Sequence, residues 1–143
     1  MSVNLLALRN NVVTAVQGKA AAFTNYPLVI EYDNQLIVDT VTQSDPFLCV
    51  KTKFLDGEQA DLSSNPMHRV FGQIHIAAAV KENAGSVKAL ELLNFFYPSM
   101  QMTALGLSPR VRTKAATFAT PTTHNGWVYT PVVIPFWCDG NTN

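Results

Sequence analysis

The chain carries little charge of either sign. Lys and Arg number ten, Asp and Glu number ten, and together they make up 14% of 143 residues, for a formal net charge of zero. An ordinary soluble domain has about 25%. There is no basic balance to drive attraction to nucleic acid, and direct recognition of a nucleic-acid sequence is not expected. Two cysteines, Cys49 and Cys138, are too few for a disulfide scaffold. Both fall in apolar segments that suit free, buried thiols. No apolar run approaches the roughly 18 residues that a membrane helix needs, so no membrane partner is expected. The start, Met1-Ser2-Val3-Asn4, has no basic stretch ahead of an apolar one, which argues against a secretory signal.

Motifs of catalysis are also missing. There is no Walker loop, no Gly-x-Gly-x-x-Gly, no Gly-x-Ser-x-Gly and no Cys-x-x-Cys. His68 and His75 are seven apart in a strand-like segment, on opposite faces, so they cannot readily share a metal. His124 sits in a turn. Asp56, Glu58 and Asp61 offer oxygen ligands, but their spacing is not that of a calcium loop. No catalytic residue, cofactor or metal is expected, and the protein is read as having no enzymatic activity.

What is present is enough apolar sequence for a core, 48% of the residues. The length suits one domain over 1–143, with a polar tail at 139–143. Thr (13) and Asn (11) supply much of the polar surface. A neutral, weakly charged surface suits a subunit that lies against other subunits, because interface cores are depleted of charge.

Leu5, Leu8, Val12, Val16, Ala20 and Phe23 recur every three or four residues and predict an amphipathic helix. Ser2 or Asn4 can cap it, and Asn25 and Pro27 stop it. A short strand follows at 28–32. Residues 35–45 read as an ordered loop or a short edge strand. A strand is predicted over 47–54, then a polar loop over 56–65 with three acids and no base. The longest strand runs from 67 to 80. Val70, Gly72, Ile74, Ile76, Ala78 and Val80 share one of its faces, and Gly72 marks a bulge or a close backbone approach. Ser86 caps a second helix, with Val87, Leu90, Leu93 and Phe96 or Tyr97 inward and Pro98 closing it. A β-like stretch over 107–120 leads to a turn at Asn125-Gly126 and a last strand over 127–137. Pro131 and Pro135 sit four apart there, so their missing N–H groups point to the same side. The fold class is α+β: a mainly antiparallel or mixed sheet of four to five strands packed against two helices.

This layout resembles the tail terminator proteins of long-tailed phages, the minor tail protein U-like group. The resemblance rests on the N-terminal helix followed by Tyr26-Pro27-Leu28-Val29-Ile30-Glu31-Tyr32. It continues in the central strand around Met67-His68-Arg69-Val70-Phe71-Gly72-Gln73-Ile74-His75-Ile76. It ends with Gly126-Trp127-Val128-Tyr129 running into Val133-Ile134-Pro135-Phe136. It spans roughly residues 3–139. The resemblance implies a structural virion protein at the head-proximal end of the tail, assembled in the host cytoplasm. Its copies would form a ring, commonly six-fold, that caps the tail tube, stops its polymerisation and offers the interface for head joining. Its partners would be itself, the tail tube protein and a head-connector or neck protein. Members are often acidic, whereas this chain is neutral. Another phage neck or tail-completion protein is the alternative of the same kind. A small α+β ligand-binding domain or enzyme, with its site around His75, Cys49 and the aromatic last strand, is the alternative of a different kind.

A head-to-tail ring needs two different complementary surfaces per subunit. Asp56, Glu58 and Asp61 form one candidate patch and Arg110, Arg112 and Lys114 the other, the three bases alternating along a strand and so sharing a face.

Overall fold

The computed structural model describes residues 3–33, 35–59, 67–107 and 109–140. It is α+β, with helices α1 (Leu5–Ala20) and α2 (Val87–Met100). The strands are β1 (Ile30–Tyr32), β2 (Phe47–Gln59), β3 (His68–Lys81), β4 (Ala104–Leu105), β5 (Val111–Thr113), β6 (Thr117–Phe118), β7 (Thr122–His124) and β8 (Trp127–Asp139). Among the described residues the sheet has eight strands, more than the four to five expected, in the order β1-β2-β3-β8-β5-β4, with β6 and β7 also paired to β8. It is mixed: β1 runs parallel to β2, and the other pairs are antiparallel.

β3 is the central strand, and its alternation decides which side of the sheet is the core. Val70, Gly72, Ile74, Ile76, Ala78 and Val80 are buried, while Phe71, Gln73, His75 and Ala77 on the other face are only half-buried. Ile74 meets Thr52 and Ile134 across the ladder, and Ile76 meets Val50 and Val132. Both helices close over this face. From α1 come Leu8, Val12 and Val16, and from α2 come Ala89, Leu92, Leu93, Phe96 and Met100. Gly72 is a close-approach glycine, as its place in the strand suggested. A Cβ there would overlap the Phe136 ring and the Lys53 carbonyl oxygen.

The helices differ from expectation in detail. Asn4 caps α1, its side chain accepting from the Ala7 N–H at 3.1 Å. Leu5, placed on the apolar stripe, is exposed. In α2 the buried stripe is rotated. Leu93 and Phe96 face inward, but Val87 and Leu90 are exposed and Ala89, Leu92 and Met100 replace them. The helix is apolar nearly all round, so periodicity admits two faces and packing on β3 selects one. Ser86 makes no side-chain cap bond, and Pro98 lies inside the last turn without closing the helix.

β2 is longer than predicted, reaching Gln59 through the first part of the expected loop. A bulge hides it from the sequence pattern. Phe54 pairs with Gly72 and Gly57 with Val70, so Leu55 and Asp56 together face the single residue Phe71. The extra residue breaks the period of two. The remainder of the expected loop, 60–65, lies outside the described residues.

The stretch predicted as one strand over 107–120 is broken into β5 and β6, with β4 ahead of it and β7 after it. Pro131 and Pro135 account for this. Their carbonyls accept from Ala119 N (3.4 Å) and Lys114 N (2.8 Å), so both prolines turn their donor-less nitrogens toward β5, β6 and β7. No continuous ladder can form on that side of β8. At its end, β7 and β8 make a two-residue hairpin at Asn125-Gly126, with φ of 52° and 80°.

Candidate functional site

The helices leave the other face of the sheet open. Its side chains come from Cys49, Lys51 and Lys53 on β2, the odd positions of β3, and Tyr129, Pro131, Val133, Pro135 and Trp137 on β8. At one end, residues 35–45 fold over this face as a loop. Buried Glu31 anchors them, its Oε2 accepting from Ile37 N and Val38 N at 2.9 Å each. Trp127 Nε1 donates to Thr40 O at 3.1 Å. Beneath the loop lies a second small core of Phe47, Ala79 and Trp127. Beyond it the face is uncovered among the described residues.

Next to that loop is a cavity of about 320 Å³ lined by Glu31, Leu36, Cys49, Lys51, His75 and Tyr129, among others. Here the strands unite the residues of the alternative reading: Cys49, His75 and the aromatic last strand. Cys49 Sγ donates to Glu31 Oε1 at 3.6 Å. Burial, with the Glu31 charge and hydrogen bond adding to it, pushes the thiol up to about 12. A thiol held there is protonated at neutral pH and is a poor nucleophile. The His75 ring is held below its ordinary pKa, first by burial and then by Lys53 and Lys51, and its Nε2 lies 3.0 Å from Gln73 Oε1. His68 is on the opposite face of β3, as its spacing implied, and its Nδ1 accepts from Val3 N at 3.3 Å. Cys138 is a free buried thiol, also raised, to about 11, chiefly by burial. Among the described residues no three His, Cys, Asp or Glu side chains cluster as a metal site would require.

By register the two charged patches stand at opposite edges of the open face, the acids on β2 and the bases on and beside β5. Asp56 and Glu58 are exposed on the outer part of β2, Asp56 within the bulge and Glu58 opposite Arg69. Asp61 lies outside the described residues. Arg110 is exposed just ahead of β5. Arg112 and Lys114 are exposed and alternate with buried Thr113, whose hydroxyl donates to Met100 O at 2.6 Å on the helix side. Both bases therefore lie on the open face. Arg112 Cζ lies 5.1 Å from the Trp137 ring centroid and Arg69 Cζ lies 4.5 Å from it. Arg69 is neutralised by Asp139, with Nε–Oδ1 at 2.6 Å and Nη2–Oδ2 at 3.0 Å. Lys51 and Lys53 belong to the same face, a grouping the linear sequence does not reveal because a long stretch of chain, with β3 and α2 in it, separates them from Arg112.

No helix of the described chain is long and apolar enough to cross a membrane. No family model matches the sequence, and no curated protein resembles it significantly. Solved structures do resemble the fold. One has a TM-score of 0.70 at 11% identity over 99% of each chain, a likeness that extends to the whole α+β arrangement and establishes the fold alone.

Proposed function

We propose that this chain is a phage tail terminator, a structural virion protein whose copies close into a ring, expected to be six-fold, on the end of the tail tube. The ring halts tube polymerisation and presents a surface to the head-connector or neck protein. It works by shape and contact, with no enzymatic turnover.

The observation that carries this reading is apolar side chains left on the surface of a chain with little charge. Leu6 is 67% exposed on α1, Val87 66% on α2, and Leu55 49% on β2. Single exposed apolar residues are ordinary. Here they occur on both helices and on the outer part of β2, so one subunit has more than one apolar surface to bury. A head-to-tail ring uses two such surfaces. The resemblance in layout supplies the identity of the tube as the thing capped.

Sedimentation velocity and electron microscopy test the reading. A discrete ring is expected, alone or on adding tail tube protein, and Leu55→Glu or Leu90→Glu should weaken it while leaving the circular dichroism unchanged. A chain that stays monomeric at high concentration, with and without tube protein, overturns it.

A second reading, a small ligand-binding domain, is favoured by the cavity around Glu31, Cys49, His75 and Tyr129. The high thiol pKa weighs against a nucleophilic enzyme there. A monomer that binds a small molecule in this cavity would favour this reading over the ring.

A further inference from the structure

The overall neutrality of the chain conceals a segregation of charge. On the open face, the cross-strand row Lys51–His75–Val133 and the row Lys53–Gln73–Pro135, continued by Lys114, hold bases and no acid. The next row is Phe71–Trp137–Arg112, and on β2 it ends at the bulge of Leu55 and Asp56, where one exposed carboxylate stands. The other acids of this face are occupied or lie toward its ends: Glu31 bonds the loop, Asp139 bonds Arg69, and Glu58 stands opposite Arg69. Lys51 and Lys53 stand on one rim, Arg112 and Lys114 on the other. They are separated by three strand spacings, about 14 Å. Between the rims lies a shallow floor of half-buried ring side chains, Phe71, His75, Pro135 and Trp137.

We propose that this open sheet face binds single-stranded nucleic acid without regard to sequence, its rims holding phosphates and its ring-lined floor receiving bases. The charge of the rims is complementary to a phosphodiester backbone and supplies attraction that the net charge does not. Arg112, seated over the Trp137 ring, presents a planar guanidinium on which a base can stack, and His75 offers a second ring. A double helix keeps its bases stacked inside and could use only the rims. An acidic peptide likewise has no bases for the floor. The inference does not depend on ring formation.

The test uses the intact protein and fluorescein-labelled dT20, followed by anisotropy and by tryptophan fluorescence. Of the two tryptophans, Trp127 is buried and Trp137 is half-buried on the face under Arg69 and Arg112, so a base stacked on Arg112 reports itself as quenching of the neighbouring Trp137. With about four phosphates held, affinity falls about 50-fold between 50 and 200 mM salt. Lys51→Gln with Lys53→Gln should weaken binding and roughly halve the salt slope. These two lysines are exposed, so the fold should survive. Trp137→Phe should abolish the quench while retaining salt-dependent binding. Lys19→Gln with Lys88→Gln, on the helices, should change nothing. Three results overturn the proposal: no binding of dT20 at 50 mM salt; a duplex or inorganic polyphosphate binding as tightly as dT20 with no quench; or equal losses from the helix variants. A fourth is loss of ring assembly on Lys51→Glu with Lys53→Glu that Asp56→Lys with Glu58→Lys restores, which would make the face a subunit contact. Absence of a ring with dT20 binding intact would defeat the tail reading alone.

Discussion

Gly72→Ala is the sharpest probe of how the sheet is built. The position is on the helix-covered face of β3, between Phe54 of β2 and Phe136 of β8. A methyl group there overlaps two neighbours that cannot move freely. Phe136 is 1% exposed and fixed in the core, and the Lys53 carbonyl belongs to the strand beside it. Inserting a methyl group into a packed core costs about 1–3 kcal/mol, and with two immobile neighbours the upper end applies. A loss of about 3 kcal/mol lowers the Tm of a domain this size by about 10 °C. Urea denaturation measures it, with an unchanged m-value showing that the native state remains compact. Phe136→Leu removes the ring atoms nearest the new methyl and alone costs about 1–2 kcal/mol. Combined with Gly72→Ala, it should recover about 1 kcal/mol of the summed loss, because the two sites are in contact. The overlap with the Lys53 backbone remains, so the rescue is partial. A loss below about 0.5 kcal/mol for Gly72→Ala, or strict additivity of the pair, refutes the claim that this glycine is required by its neighbours.

Iodoacetamide at pH 8 should label Cys49 and Cys138 in the native protein far more slowly than free cysteine, since burial raises both thiols, to about 12 and about 11. Labelling of Cys49 at the rate of a free thiol would contradict this. His75 makes stability depend on pH. It faces Lys51 and Lys53 of β2, the Gln73 amide of its own strand, and Glu31, Cys49 and Tyr129 across the cavity. Its folded pKa lies below the ordinary 6.5, so the unfolded chain takes up the proton first. Its contribution to stability is therefore full above about pH 6.5 and is lost as the pH falls through that value. His75→Gln should flatten this part of the urea-stability profile, and an identical profile for the variant would remove His75 as its source. Leu90→Glu should lower the ring population in sedimentation velocity while preserving the monomer's fold. Binding of dT20 should show the salt slope and Trp137 quench described above.

Residues close in the chain settled the local elements. The four-residue spacing of Leu8, Val12 and Val16 gave α1 and its buried side, because a helix brings those positions onto one stripe. Strict alternation through β3 gave the core face, because a strand sends neighbours to opposite sides. Gly72 and the Asn125-Gly126 turn were legible because each is a local steric demand. Features that depend on a partner strand were not. The bulge at Leu55 and Asp56 exists only opposite Phe71 and concealed the outer part of β2. The consequence of Pro131 and Pro135, a row of short strands, required knowing which side of β8 they face. The stripe of α2 that points inward was chosen by β3. The cavity joining Glu31, Cys49, His75 and Tyr129 draws on four separate strands and the loop over them. The same holds for charge. Composition fixed the net value at zero, but only the ladder joining β2, β3, β8 and β5 set Lys51 and Lys53 across one face from Arg112 and Lys114. The field at a surface depends on where charges stand in space, and their sum carries no record of that.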